Sequence, residues 1–400
     1  MLLAGYITYL LFLIKLSNNN TNQLFILFGL IPIAIIPLFK YMRSKLFRSV
    51  LKKAGSSVLL FYLCYCLIST YNIDAVFRGI SYFIIFSLHI LILTYLLTKK
   101  HMFNIESLIH ALLLVSIFVI LIPHFLITGS LKLGAFYNLI DPSLLVSTTM
   151  EGPLLVALLF LLAVFNVFFN KNRSFINIFS ILFSVFLLLL FNRRGFIISC
   201  ILSTLIYYGY IKTKKKIILY LTFALMFLPM FWDTISTFVV SIFKSDVFSS
   251  FIIRNDTEEL ATATGRAITW ANIIKLFLSL NPIHIFGFKG GPPSDLFLTS
   301  DDNGRFLHAH NTFLQLFLEG GYFTNILFIC VLVYCIRKYI ASQNKTRNIP
   351  NYYILILIFL LGLSGTETLV KEVLFSSFIF SFCLIGANLM TNLNLKVTDK

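Results

Sequence analysis

The residues best suited to chemistry lie in one string, His308-Ala309-His310-Asn311-Thr312-Phe313-Leu314-Gln315-Leu316-Phe317-Leu318-Glu319-Gly320-Gly321. Asn311 is a good helix cap, and a helix opening at Thr312 should end or kink at Gly320-Gly321 after about two turns. That sets His310 at the mouth of a helix N-terminus. Histidine titrates near neutrality and can take a proton from a hydroxyl, so His310 is the candidate general base, with His308 beside it. A lone histidine is more often structural; two histidines flanking a capped, glycine-terminated helix read differently.

Candidate anion-binding groups stand elsewhere. Arg193 and Arg194 close one apolar stretch and Gly195 opens the next. Arginines close to membrane depth are costly and usually face a partner or a cavity. A phosphate-like anion suits them, because the planar guanidinium bonds its oxygens in pairs. Arg266 begins a stretch, reaching Leu280, in which Trp270, Ile273, Ile274, Phe277 and Leu278 recur at helical spacing. A helix this short rises only about 22 Å and cannot cross a bilayer. It is expected to lie on the membrane surface with Trp270 as an interfacial anchor, and Arg266 in its first turn, where free N–H groups favour anions. The run Gly287-Phe288-Lys289-Gly290-Gly291-Pro292-Pro293 reads as a plain turn, with a phosphate cradle as the second use. Glu319 and Glu367 are carboxylates near hydrocarbon, hence functional candidates by default, although either could pair with Lys371 or a loop arginine. No Asp, Glu, His or Cys cluster has ligand spacing, so neither a metal nor another cofactor is expected.

The elements that must position these groups follow from composition. Across 400 residues, 58% are hydrophobic, only 12% are charged and Phe alone occurs 44 times. A soluble domain carries about a quarter charged residues, so the chain reads as an all-α polytopic membrane protein. Apolar runs of roughly 17–20 residues, each able to cross ~30 Å of hydrocarbon, fall at 1–17, 23–39, 55–71, 79–98, 105–128, 152–170, 174–192, 196–211, 217–235, 312–336, 351–366 and 373–391. Met1–Ser17 has no basic leader or small-residue cleavage site and is expected to remain as the first span. The expected division is spans one to nine over 1–235, a large loop over 236–311, and three last spans over 312–400.

The net charge of +16 invites a nucleic-acid partner, but its placement argues against one. If both termini are cytoplasmic, the loops on that side (Lys40 to Lys53, Lys99-Lys100, Lys171 to Arg173, Lys212 to Lys216, Arg337 to Arg347) hold most of the 32 basic residues. That is the topology signal of short cytoplasmic loops. The large loop then lies outside, with Arg254, Arg266, Lys289 and Arg305 among its charges, and so does the Arg193-Arg194 turn. The six cysteines fall within spans and read as small hydrophobes. His89, His110 and His124 read as packed polar groups. The loop from Gly129 to Gly152 suggests no chemistry.

Taken together, these residues resemble a known family. His310-Asn311, nine residues, Gly321, two residues and Thr324 resembles the signature of O-antigen ligases. Arg193-Arg194-Gly195, Gly265-Arg266 with Trp270, the glycine turn, His-Asn-Thr-Phe-Leu and Glu-Gly-Gly resemble the superfamily of WaaL-type O-antigen ligases, Wzy-type O-antigen polymerases and related oligosaccharyltransferases. One departure is that Asn192 and two arginines precede the glycine, where relatives show Ser or Thr and one arginine.

The resemblance implies a metal-independent, membrane-embedded glycosyltransferase of GT-C-like form, without cofactor, at the bacterial inner membrane with its large loop periplasmic. Its donor would be a glycan on a polyprenyl diphosphate such as undecaprenyl diphosphate. His310, Arg194 and Arg266 would be catalytic, Arg194 being favoured over Arg193; Arg193, Arg254, His308, Lys289, Arg305 and Glu319 would bind substrate. A polymerase of lipopolysaccharide biosynthesis is the favoured activity, a ligase to the lipid A core the alternative. Membrane lipids, a chain-length regulator and a flippase are the implied partners. A flippase or transporter without catalysis is the third reading, against which stands the absence of an internal repeat between the chain's halves.

Overall fold

A computed structural model of the chain describes residues 24–45, 73–98, 105–136, 150–231, 266–288, 309–345 and 351–365, with scattered residues elsewhere, among them Tyr6, Phe61 and Glu367. Every regular element among the described residues is helical. In chain order they are α1 (Leu24–Arg43), α2 (Ile73–Thr98), α3 (Ile105–Thr128, with a π-helical turn at Ser116–Leu121), α4 (Glu151–Phe168), α5 (Phe175–Phe191) and α6 (Arg194–Thr213). Then follow α7 (Ile217–Met226), α8 (Arg266–Leu278), α9 (Thr312–Lys345) and α10 (Tyr352–Ser364).

Among the described residues, four helical stretches are both long and apolar enough to cross a membrane: Ile105–Thr128, Glu151–Phe168, Gly195–Thr213 and Thr312–Ala341. Shorter apolar helices include Ile26–Lys40, Ile80–Leu96, Phe175–Phe191 and Tyr352–Ser364. The runs expected at 1–17, 55–71 and 373–391 lie largely outside the described residues, as does the large loop apart from 266–288 and 309–311.

Side chains sort as a lipid solvent requires. α5 turns Phe175, Leu182 and Val185 outward while burying Asn177, Ser180 and Ser184. Lipid tails reward no inward burial of apolar groups, whereas each polar group left in hydrocarbon costs several kcal/mol. α4 and α10 are apolar on every face and are buried almost throughout, as central helices must be. α4 packs between α5 and α6, and α10 against α6 and α7. Cys200, Cys335 and Cys383 are buried as expected; Cys330 instead sits exposed on α9. His89 accepts or donates at 2.8 Å to the Tyr6 hydroxyl and His124 lies 2.7 Å from Ile120 O, both packed as expected, whereas His110 is exposed.

The helix ends gather into two groups. At one end Asn172 hydrogen-bonds Glu106, and the backbone N–H of Asn351 donates to the Tyr207 hydroxyl at 2.7 Å. These positions belong with the lysine-rich turns. At the other end Gly134 N and Phe136 N donate to Leu189 O and Leu190 O at 3.2 and 3.0 Å, clamping the loop after α3 onto the Arg193 turn. Asn311, Arg266 and Glu367 lie at that same end.

Candidate active site

The site is assembled around the start of α9. The Asn311 side-chain oxygen accepts from Leu314 N at 2.8 Å, the expected cap. Its amide nitrogen donates to Met226 O and to Gly365 O, both at 3.0 Å. One side chain therefore starts α9 and holds the ends of α7 and α10 against it.

His310 precedes this cap with φ 46°, in the left-handed region. That conformation is uncommon outside glycine and persists only where neighbours enforce it. Here both sides are pinned. Ala309 N donates to Gln315 Oε1 at 2.8 Å, and the Trp270 indole N–H donates to Ala309 O at 2.7 Å. Gln315 in turn donates to Glu319 at 2.5 Å. The backbone is thus bent to throw the imidazole out of the helix mouth.

Trp270 corrects an expectation. It is 1% exposed, buried behind Ala309, and so does not anchor α8 at a membrane surface. Its indole N–H has an internal acceptor, which removes the usual penalty for burying it. Ile273 and Phe277 of the α8 stripe face protein as well, while Leu278 is exposed: Phe277 meets Phe313, Phe317 and Tyr322 edge-on or tilted, and the Tyr322 hydroxyl donates to Phe277 O at 2.6 Å.

The glycines fix how α8 meets α9. α9 kinks at Gly321 (φ 67°), as the Gly-Gly pair led one to expect. A Cβ there would overlap His284 O, Gly287 N and Ile285 O. Gly287 (φ 79°) is also tightly approached, its Cβ position lying 2.7 Å from Glu319 O. Phe323 N donates to Ile285 O at 3.0 Å and Phe288 N to Leu318 O at 3.3 Å. In its described part, the glycine turn is a backbone-to-backbone lock on the kink.

Glu367 completes the cluster. Its backbone oxygen accepts from the Thr312 hydroxyl at 2.9 Å. Its carboxylate faces two groups at once: Oε1 is 3.4 Å from both terminal nitrogens of Arg266, and Oε2 is 3.6 Å from His310 Nδ1. These are ion-pair separations, longer than an aligned hydrogen bond of about 2.7–3.2 Å. The three side chains are 19–24% exposed, so the cluster opens outward. Burial pushes the Glu367 carboxyl up. The His310 imidazole and the charges of Arg266 and Arg193 outweigh it and hold the carboxyl below the ordinary value.

Of the residues singled out in the sequence, the fold brings His310, Arg266 and the charge of Arg193 to one carboxylate. Arg194 begins α6, directly after the Asn192-Arg193 turn, and its side chain is not among those described. Arg254, His308, Lys289 and Arg305 lie outside the described residues. Glu319 is the partner of Gln315. No group of three or more His, Cys, Asp or Glu suited to a metal occurs among the described residues. Glu367 was legible only as a carboxylate at the edge of a span; its partners were not.

The helices and this outward-facing cluster define a multi-pass membrane protein with an Arg–Glu–His site at one end of its bundle. Residues 158–329 match the O-antigen ligase family, a stretch that contains Arg193, Arg266, His310 and Thr324 but ends before Glu367. The match bears out the likeness to the O-antigen polymerase and ligase superfamily. None of the curated proteins and none of the solved structures matches the chain.

Proposed function

We propose that the protein is a glycosyltransferase that joins polyprenyl-diphosphate-linked oligosaccharide repeat units at the periplasmic face of the bacterial inner membrane, an O-antigen polymerase. The observation that carries this reading is the meeting of Arg266 and His310 at one outward-facing carboxylate, with the charge of Arg193 close by. In the proposed reaction an acceptor hydroxyl gives its proton to His310 as its oxygen bonds the donor sugar's C1. The bond from C1 to the phosphate oxygen breaks, and the polyprenyl diphosphate leaves with the electron pair. Arg266 and Arg193 stabilise the charge that builds on it, a role in which losing one donor typically costs about 2.7–4 kcal/mol. Arg194, Arg254, His308, Lys289, Arg305 and Glu319 are further proposed contacts to diphosphate or glycan, and the apolar bundle would receive the prenyl tail.

The second reading, transfer of the finished glycan to lipid A core, is favoured by the family's description as ligase. It uses the same donor chemistry and differs only in acceptor. Surface lipopolysaccharide from a deletion strain carrying wild-type or His310→Ala copies separates them on a gel. Core bearing a single repeat unit and no ladder means polymerase. Bare core with accumulating lipid-linked polymer means ligase. An unchanged ladder overturns both and favours another exported glycan or transport.

A further inference from the structure

The geometry points to Glu367 as a stand-in for the donor's diphosphate: its carboxylate occupies the anion position on Arg266, and donor binding displaces it towards His310. This rests on the proposed reading of Arg266 as a diphosphate ligand.

Three observations carry it. First, the two carboxylate oxygens are divided between two functions, Oε1 facing the guanidinium and Oε2 the imidazole. Second, neither contact is closed. At 3.4 and 3.6 Å both exceed an aligned charged hydrogen bond, so the side chain is shared between partners. Third, the backbone that carries it is held still. Glu367 N donates to Leu363 O at 2.9 Å, Thr312 holds Glu367 O, and Asn311 holds Gly365 O. Only the side chain is left to move.

A diphosphate brings more charge and more acceptor oxygens than a carboxylate and competes directly for the Arg266 fork. Once displaced from Arg266, the carboxylate still faces Nδ1 of His310, with the charge of Arg193 close by. A carboxylate on Nδ1 holds the ring in the tautomer whose Nε2 can accept a proton, and stabilises the imidazolium that results. Donor binding would therefore prepare the base, and the acceptor would be activated only beside a loaded donor. Glu367 acts through His310 and Arg266 and is a positioning residue.

The signature is a pair of opposite changes. The full-length protein is purified in lipid nanodiscs and titrated calorimetrically with farnesyl diphosphate and, in parallel, inorganic pyrophosphate. Glu367→Gln, nearly isosteric and without the competing charge, should bind both roughly tenfold more tightly than wild type, the scale of one charged hydrogen-bond partner removed. Its turnover on the strain's own lipid-linked glycan should fall, so that KM and kcat decrease together. Glu367→Asp, which keeps the charge, should stay near wild-type affinity. Unchanged or weaker binding by Glu367→Gln, in protein that still unfolds cooperatively, overturns the stand-in role. If wild type binds farnesyl diphosphate no better than farnesol, or Arg266→Ala binds it as well as wild type, the diphosphate site itself is wrong and this inference falls with it.

Discussion

Arg266 and Glu367 meet at 3.4 Å although 101 positions separate them in the chain. Arg266 opens α8, and Glu367 follows the apolar helix α10. The pair therefore ties α8 to the end of α10, and His310, at the start of α9, stands on the other side of the same carboxylate.

If His310 takes the acceptor's proton, His310→Ala should lower turnover by roughly 10²–10⁴-fold, the usual range for a general base. Membrane insertion should be normal. Transfer by the purified variant checks this; activity within threefold of wild type would remove His310 from the mechanism.

Arg266→Lys keeps the charge but loses the planar fork, so it should not restore function. Its turnover is expected to fall by roughly 10²–10³-fold, close to that of Arg266→Ala. A lysine variant with wild-type turnover would mean that charge alone suffices there.

Removing the cap should unpick more than one helix. Asn311→Ala loses the contact to Leu314 N and leaves Met226 O and Gly365 O without their shared donor. A cap alone is worth about 1 kcal/mol, and each buried orphaned group adds about 1–3 kcal/mol. A clear drop in thermal midpoint is expected, accompanied by lost activity, since Glu367 is carried two residues beyond Gly365. Asn311→Asp should recover the cap but not the two donated bonds, and so only part of the stability.

Gly321→Ala should be worse than an ordinary helix substitution. It combines a left-handed φ of 67° with overlap against His284 O and Gly287 N. Strain of this kind costs on the order of 1–3 kcal/mol before any clash is counted. Thermal unfolding in nanodiscs measures it; a change no larger than that of Gly209→Ala, whose added Cβ would meet only Ile218 Cδ1 at 3.9 Å, would contradict the lock.

Acid should loosen the site through Glu367. Its carboxyl titrates below the ordinary value in the folded protein, because His310, Arg266 and Arg193 outweigh the effect of burial. The unfolded chain lacks those partners and binds the proton more tightly. The stabilisation is therefore complete above the unfolded value and is lost as pH falls through the lower folded value. The thermal midpoint of wild type should fall over that acidic window, and that of Glu367→Gln should fall less. Parallel curves would deny the carboxylate this role.

Much of this site could be read from local spacing. Asn311 as cap, the kink at Gly320-Gly321 and the helix carrying Arg266 are decided within a few residues of chain, where capping and periodicity act. The direction in which α8 faces was not. Trp270 has the same stripe whether it meets lipid headgroups or Ala309, and only the neighbour's free carbonyl decides. Glu367 was harder still. A carboxylate after an apolar helix announces that something must compensate it, and Lys371 is as near in sequence as any partner. Packing of α10 against α6 and α7, with Asn311 stitching the ends, brings Arg266 and His310 to it.

The left-handed backbone at His310 has an evolutionary corollary. Glycine would suit that φ better than histidine does, and His310→Gly would relax the turn while deleting the imidazole. If His310 is the proposed base, selection for stability alone would favour glycine here and selection for activity would oppose it.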